Sequence, residues 1–229
     1  MSALPCSLAI VIPALDAAAC LPATLAALRA EANGAAIILV DGASGDATRA
    51  LAEAGGARVW LAGRGRGRQL AAGVGAARAE FLLLLHADTM LAPGWSEEVA
   101  RFMTAPEAHA RAGYFRFTLD SEARAARWLA GLVAWRARVL GLPYGDQGLL
   151  VAAEFLAERG GVPLLPLMED VALSRRIGRA RLVAFETRAI TSAVRWRRDG
   201  WLRRSARNLL CLGLYHLGLP PWLIARLYG

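Results

Sequence analysis

The run Phe81-Leu82-Leu83-Leu84-Leu85 breaks off in His86-Ala87-Asp88-Thr89. An unbroken apolar run bounded by polar residues fits a strand covered on both faces, as in a parallel sheet between helices. The groups with lone pairs to offer stand at its carboxyl end, where open α/β sheets take their ligands. Alternate side chains of a strand share a face, so His86 and Asp88 can point the same way. An imidazole and a carboxylate so placed suit a divalent cation that accepts nitrogen and oxygen ligands. The plainer alternative is a polar strand end in which Asp88 caps the next turn.

Three strands precede this one. Ser7–Ile12 is the first, closed by Pro13 and followed by Leu15, Asp16 and a helix over Ala17–Ala32 with Leu21, Leu25 and Leu28 on one face. Ile37–Val40 is the second. It ends in Asp41-Gly42-Ala43-Ser44-Gly45-Asp46, where Asp41 can reach a nucleoside's polar edges and Asp46 is placed to cap the next helix. Arg58–Leu61 is the third. The loop Gly63-Arg64-Gly65-Arg66-Gly67-Arg68 then enters a helix from Gln69 to Arg78. Glycines ahead of a helix N-terminus let backbone N–H groups approach an anion, and arginines match phosphate oxygens. No Lys-Ser/Thr pair follows, so this is no P-loop, and Gln69 fills the slot of a dinucleotide fingerprint's closing glycine. The β-α-β-α-β-α-β alternation predicts a doubly wound, mostly parallel sheet flanked by helices.

The second half is more mixed. Pro93-Gly94 opens a helix through Met103, and Ala112–Leu119 alternates as a strand. Ser121 caps a helix over Glu122–Leu140, whose Trp128, Leu132 and Trp135 are expected in the core. Pro143-Tyr144-Gly145-Asp146-Gln147-Gly148 is a polar loop suited to hydroxyl-rich ligands, running into Leu149-Leu150-Val151. Met168-Glu169-Asp170 opens a helix through Ile177. Two carboxylates there complement the helix dipole and also suit general-base work. Arg181–Ala184 and Arg188–Thr191 read as two short strands. The tail, Trp201 to Tyr228, reads as an Arg-rich amphipathic helix and an apolar one broken at Pro220-Pro221, packed on the domain or a dimer partner, or laid on a membrane surface.

Composition narrows the partners. All 27 basic residues are arginine, and the formal charge of +8 favours acidic ligands or surfaces. No basic block with interleaved aromatics appears, so nucleic acid is not expected. Cys6, Cys20 and Cys211 form no CxxC and no disulfide framework, which fits a reducing cytoplasm. The N-terminus shows no signal-peptide pattern, and no apolar run reaches the ~18 residues of a spanning helix.

The order of motifs resembles glycosyltransferase family 2, of GT-A fold, over almost the whole length. Ile10-Val11-Ile12-Pro13 is similar to that family's opening strand, and Val40-Asp41-Gly42-Ala43-Ser44-Gly45-Asp46-Ala47-Thr48 to its V-D-x-x-S-x-D-x-T loop. His86-Ala87-Asp88 stands in place of D-x-D, Glu169-Asp170 matches its E-D motif, and Arg195-Trp196 matches an arginine-tryptophan pair near the acceptor. Arg64-Gly65-Arg66, Arg68-Gln69, Leu85-His86-Ala87-Asp88-Thr89, Gly145-Asp146-Gln147, Met168-Glu169-Asp170 and Leu217-Gly218-Leu219 resemble a bacterial subgroup labelled arsenosugar-biosynthesis-associated glycosyltransferases. There are departures. His86 replaces the first acid of D-x-D, Ala72 stands before Gly73 where many relatives have asparagine, and Ala172 replaces an acid often seen after E-D-x.

The resemblance implies a GT-A domain over residues 1–200, with a nucleotide-binding half to about residue 105 and an acceptor half over 106–200, followed by C-terminal helices over 201–229. It implies inverting, metal-dependent transfer from a nucleotide-diphosphate sugar to an acceptor hydroxyl, in the cytoplasm or at the inner face of the membrane. Pro13, Leu15, Asp41, Gly65, Arg66, Arg68 and Asp88 would bind the donor. Asp88 and His86 would hold Mg²⁺ or Mn²⁺. Asp170 would be the base, with Glu169 beside it, and Asp146, Gln147, Arg195 and Trp196 would stand on the acceptor side. Two alternatives are a sugar-phosphate nucleotidyltransferase and a degenerate, non-catalytic sugar-nucleotide-binding protein. The first would need a glycine-rich signature after the first strand, where Pro13-Ala14-Leu15-Asp16 stands.

Overall fold

The computed structural model describes residues 7–32 and 34–228. Cys6 and the N-terminal segment read for sorting signals lie outside these. The strands are β1 (Leu8–Ala14), β2 (Ala36–Asp41), β3 (Arg58–Leu61), β4 (Phe81–Leu84), β5 (Thr89–Leu91), β6 (Ala112–Leu119), β7 (Leu149–Ala152) and β8 (Leu182–Thr191). The helices are α1 (Leu21–Glu31), α2 (Thr48–Ala54), α3 (Arg66–Ala76), α4 (Trp95–Met103), α5 (Arg124–Leu140), α6 (Ala153–Glu158), α7 (Glu169–Ile177), α8 (Val194–Asp199), α9 (Trp201–His216) and α10 (Pro221–Tyr228). None of these helices is long and apolar enough to cross a membrane.

All eight strands form one sheet in the order β3-β2-β1-β4-β7-β6-β8-β5. The first four pair in parallel, β7 turns antiparallel against β4 and β6, and β6 and β8 pair in parallel again. The apolar runs explain this order: β1, β4 and β7 are buried along their whole length, as strands inside a covered sheet must be. Leu21, Leu25 and Leu28 of α1, with Trp95, Val99 and Phe102 of α4, join the main core. β1 does not stop at Pro13. Its pairing with β4 ends at Val11–Leu84, and only β2 accompanies it through Pro13 and Ala14, so the missing N–H breaks no ladder on the β4 side.

Several elements depart from the sequence reading. β8 is one strand where two were expected, and the short β5 beside it was not foreseen. α3 begins at Arg66, inside the expected glycine loop. Ser121 does not cap α5, which starts after Ala123 without a side-chain cap. Trp128 and Trp135 are 64% and 56% exposed, with Leu132 exposed beside them. α5 instead packs Ala126 and Val133 against Phe117 and Leu119 of β6. Small side chains let the helix approach the sheet, and the large ones are left outside.

α9 and α10 fold back onto the domain. Cys211 and Ile224 share a core with Leu142, Leu167, Met168 and Val171. Gly73 of α3 lies so close to the sheet that a Cβ would overlap Val11 and Val40, whereas Gly75 has nothing within 4 Å. Gly73→Ala is expected to lower stability by about 1–3 kcal/mol through overpacking. Gly75→Ala is expected to raise it by about 0.5–1 kcal/mol through reduced backbone freedom in the unfolded chain. Urea midpoints at equal slope read both changes.

Candidate active site

The carboxyl ends of β1 and β2 are laced together by side chains. Asp41 is fully buried, and its Oδ2 accepts from the backbone N–H groups of Ala43 and Ser44 at 3.1 and 3.0 Å. The Ser44 hydroxyl donates to Asp41 Oδ1 and accepts from Asp16 N at 2.9 Å. Asp16 Oδ1 accepts from Gly45 N at 2.8 Å, and Asp46 Oδ2 from Ala18 N at 3.0 Å. Asp46 also takes Thr48 N at 2.9 Å, so it serves the start of α2 from one residue before the N-cap. Gln69 Nε2 spends both hydrogens on the carbonyls of Ala14 and Val40, at 2.7 and 2.9 Å. Asp16 and Ala43 take left-handed backbone, φ 49° and 68°, which side chains tolerate only where surroundings hold them.

Below these loops lies a cleft of about 100 Å³ that brings together Arg66, His86, Asp88, Asp146, Asp170 and Arg195. Its chemistry comes from distant parts of the chain. His86 and Asp88 follow β4, Asp146 sits on a single 3-10 turn before β7, Asp170 is in the first turn of α7, and Arg195 is on α8. Met168, with φ 65°, swings the chain into α7 and presents its two acids in different directions.

Asp170 faces the cleft, its carboxylate fixed by Gly145 N at 3.0 Å and Val171 N at 2.8 Å. Glu169 turns inward and is 1% exposed. Arg66 Nε stands 3.0 Å from Glu169 Oε1, an ion pair without hydrogen-bond alignment, because neither Glu169 oxygen has a hydrogen-bond donor among the described residues. Burial pushes the Glu169 carboxyl up to about 7, outweighing the opposing pull of Arg66.

Arg66 Nη1 also lies 3.4 Å from His86 Nε2. Burial, then Arg66, pushes the His86 imidazole down to about 4, so the ring is neutral and accepts from the guanidinium through Nε2. That bond places the ring proton on Nδ1. Gly145 packs against the same nitrogen so tightly that a Cβ would overlap the ring. In this geometry Nε2 is turned to Arg66 and Gly145 and is not open to a cation.

Among the described residues no three His, Cys, Asp or Glu side chains gather to hold a metal. Two carboxylates fit a looser arrangement. Asp88 lines the cleft with Arg195 Nη2 3.9 Å away, and Asp146 Oδ1 is buried without a hydrogen-bond partner. Burial raises Asp146 to about 6, with Asp170 and Asp88 repelling its charge. Mg²⁺-type cations are commonly held by one or two carboxylates, with substrate phosphates and water completing the shell. An orphaned carboxylate oxygen close to a second carboxylate fits that donor set.

The glycosyl transferase family 2 model matches residues 9–138, from β1 through most of α5. The chain belongs to glycosyl transferase family 2. No curated protein matches it in sequence. The fold is shared with glucosyl-3-phosphoglycerate synthase from Mycobacterium tuberculosis in complex with Mn²⁺ and UDP-glucose, at TM-score 0.65 and 17% identity, covering 94% of this chain and 80% of that one. It is also shared with mannosyl-3-phosphoglycerate synthase from Rubrobacter xylanophilus, at TM-score 0.59 and 15% identity, covering 93% and 75%. The GT-A expectation for the fold therefore holds.

Within this family 2 glycosyltransferase, Asp88, Asp146, Asp170, Arg66, Arg195 and Trp196 share the cleft. Arg68 is exposed and outside it. Gln147 is buried, donating to Phe115 O at 3.1 Å and accepting from Arg136 Nη2 at 3.3 Å, so it braces the turn and does not face the cleft. Gly65 carries φ 122° at the entry to α3, and Gly67 meets the backbone of Pro163 and Leu165 too closely for any side chain. The glycines thus serve chain packing as well as any anion. Sequence reasoning missed Arg204 and Asn208 of α9, which also line the cleft. Nothing local marks them, because α9 reaches the site only through tertiary folding.

The buried acid has a consequence for stability. A folded-state value near 7, against 4.5 for a free side chain, means the folded protein binds the proton more tightly, so stability falls as pH rises between those values. Glu169→Gln is expected to remove about 3 kcal/mol of that fall between about pH 5 and 8. Urea titrations at several pH values measure it. An unchanged slope would mean that Glu169 is ionised throughout.

Proposed function

We propose that this glycosyltransferase moves a sugar from a nucleoside-diphosphate sugar to an acceptor hydroxyl, with inversion at the anomeric carbon. The observation that carries the reading is Asp170, a carboxylate held by two backbone N–H groups at the cleft wall beside Asp88. Pro13, Leu15 and the Asp41 loop at the ends of β1 and β2 are the seat for the base. Arg66 and the backbone around Gly65 are the contacts for the diphosphate. The M. tuberculosis neighbour's complex with Mn²⁺ and UDP-glucose supports both a nucleotide-sugar donor and a divalent cation. The motifs shared with the arsenosugar-associated subgroup support that finer placement without naming an acceptor.

The chemistry divides among the side chains as follows. Asp170 accepts the proton of the acceptor hydroxyl as its oxygen bonds to the anomeric carbon, and the bond to the diphosphate oxygen breaks on the opposite face. Glu169 does not meet the substrate; it anchors Arg66, which meets the leaving group. His86 fixes the other side of Arg66. A divalent cation, Mg²⁺ or Mn²⁺, would rest on Asp88 with Asp146 beside it and neutralise charge on the departing diphosphate. The tail supports a peripheral membrane contact or a homodimer through the exposed Leu209, Leu210, Leu217 and Trp222.

Asp170→Asn is expected to lower the transfer rate by about 10²–10⁴-fold, the range for a lost general base. A nucleoside diphosphate at about 100 times its Kd should still stabilise the variant by about 2.7 kcal/mol, read as a thermal shift. Turnover retained in the variant would sink Asp170 as the base. Absence of any nucleotide-dependent shift in folded wild-type protein would sink the donor reading.

A further inference from the structure

Helix α5 is apolar on two opposite sides. Ala126, Val133 and Ala137 are buried on the domain side. Trp128, Leu132, Trp135 and Val139 follow one another at steps of four, three and four residues. At ~3.6 residues per turn that spacing keeps them on one stripe, on the far side of the helix from the buried three. They are 64%, 40%, 56% and 43% exposed. Scattered exposed apolar residues are ordinary, but a continuous stripe that includes two tryptophans marks an interaction surface.

The charge around the stripe indicates what covers it. α5 carries arginines at positions 124, 127, 136 and 138 and no acid. Arg136 is engaged inside, donating to Leu142 O at 2.9 Å and lying over the Tyr144 ring. Arg124, Arg127 and Arg138 are exposed and share one flank of the stripe. On that flank a groove of about 620 Å³ runs between α5 and the strands β6 and β8. Arg116, Arg127 and Arg188 line it, and Glu186 is the one acid among its lining residues. Arg127 Nη1 donates to the carbonyl of Glu122 at 3.0 Å. None of Arg116, Arg124, Arg127, Arg138 and Arg188 lies within ion-pair distance of an acid among the described residues.

A second copy packed stripe to stripe would set these arginines against arginines, and like charges so placed repel. An anionic lipid surface suits both features. Tryptophan rings settle at the boundary between headgroups and acyl chains, and arginines on the polar side of such a helix reach lipid phosphates. We propose that α5 docks this protein on an anionic membrane surface. The helix lies in the plane of the interface with Trp128, Leu132, Trp135 and Val139 toward the acyl chains. The groove beside it takes lipid phosphates on Arg116, Arg127 and Arg188. This docking surface is separate from the exposed leucines of the tail, and its test needs neither donor nor acceptor.

The full chain is sedimented with vesicles of phosphatidylcholine alone and of phosphatidylcholine and phosphatidylglycerol in equal parts. It should bind the mixed vesicles about tenfold or more tightly than the neutral ones, and come off as salt is raised. Trp128→Ser with Trp135→Ser should weaken binding by about tenfold or more, and should reduce quenching of the protein's fluorescence by lipids brominated on the acyl chain. Arg116→Gln with Arg188→Gln should bring the two vesicle types toward equal, weak binding. All four side chains are exposed, so urea midpoints should stay near wild type. Leu209→Ser with Leu210→Ser tests the tail separately. Binding lost in that variant but kept in both of the others would overturn the proposal. No binding to either vesicle, or equal binding of the wild type to both, would also overturn it. A dimer that the tryptophan variant abolishes, in protein that ignores vesicles, would make a second copy the occupant instead.

Discussion

The ion pair between Arg66 and Glu169 holds the site together. It joins the first residue of α3 to the first residue of α7 across the carboxyl end of the sheet, and places a guanidinium against His86. A carboxylate at 1% exposure is costly to ionise, so the pair is not a source of net stability. Its worth is positional. It sets the direction of the arginine and, through the turn of backbone at Met168, turns Asp170 toward the cleft. One acid is given up to the interior, and its neighbour is left facing the cleft.

The electrostatics follow from that arrangement. Asp88, Asp146 and Asp170 share a small cleft, and their mutual repulsion together with burial keeps the Asp146 proton to about pH 6. His86 cannot relieve this by charging, because burial and Arg66 both oppose a second positive charge. Arg66 lowers the cost of charge on Asp146, and Arg195 stands beside Asp88.

The sequence carried the sheet's first half plainly. β1, β2 and β4 are apolar runs that only a covered sheet accommodates; β2 ends at Asp41, and β1 and β4 reach Asp16 and His86 two residues beyond their ends. Asp88 and Asp170 were legible because polar residues at strand and helix ends stand out against such runs. The α5 tryptophans were misread for a physical reason. Helical spacing shows that residues share a face but not whether anything covers it, and here the small alanines did the packing. The division of labour within Glu169-Asp170 depends on the left-handed Met168, which no local pattern announces. Gln69 looked like a failed phosphate fingerprint, whereas its amide ties β1 to β2. Arg204 and Asn208 belong to the site only because Cys211 and Ile224 bury themselves against Leu142 and Met168, a long-range contact.

The turn at Gly145–Gln147 touches nearly everything in the cleft at once. Gly145 abuts the His86 ring and donates to Asp170, Asp146 adds its carboxylate, and Gln147 grips Phe115 and Arg136. Parts so interlocked can drift over generations only in concert, since enlarging Gly145 would require shrinking His86. The α8–α9 corner hangs on the domain by a separate set of contacts, centred on Asp199, Trp196 and Cys211. Substitutions at that corner are therefore free of the constraint that ties Gly145 to His86.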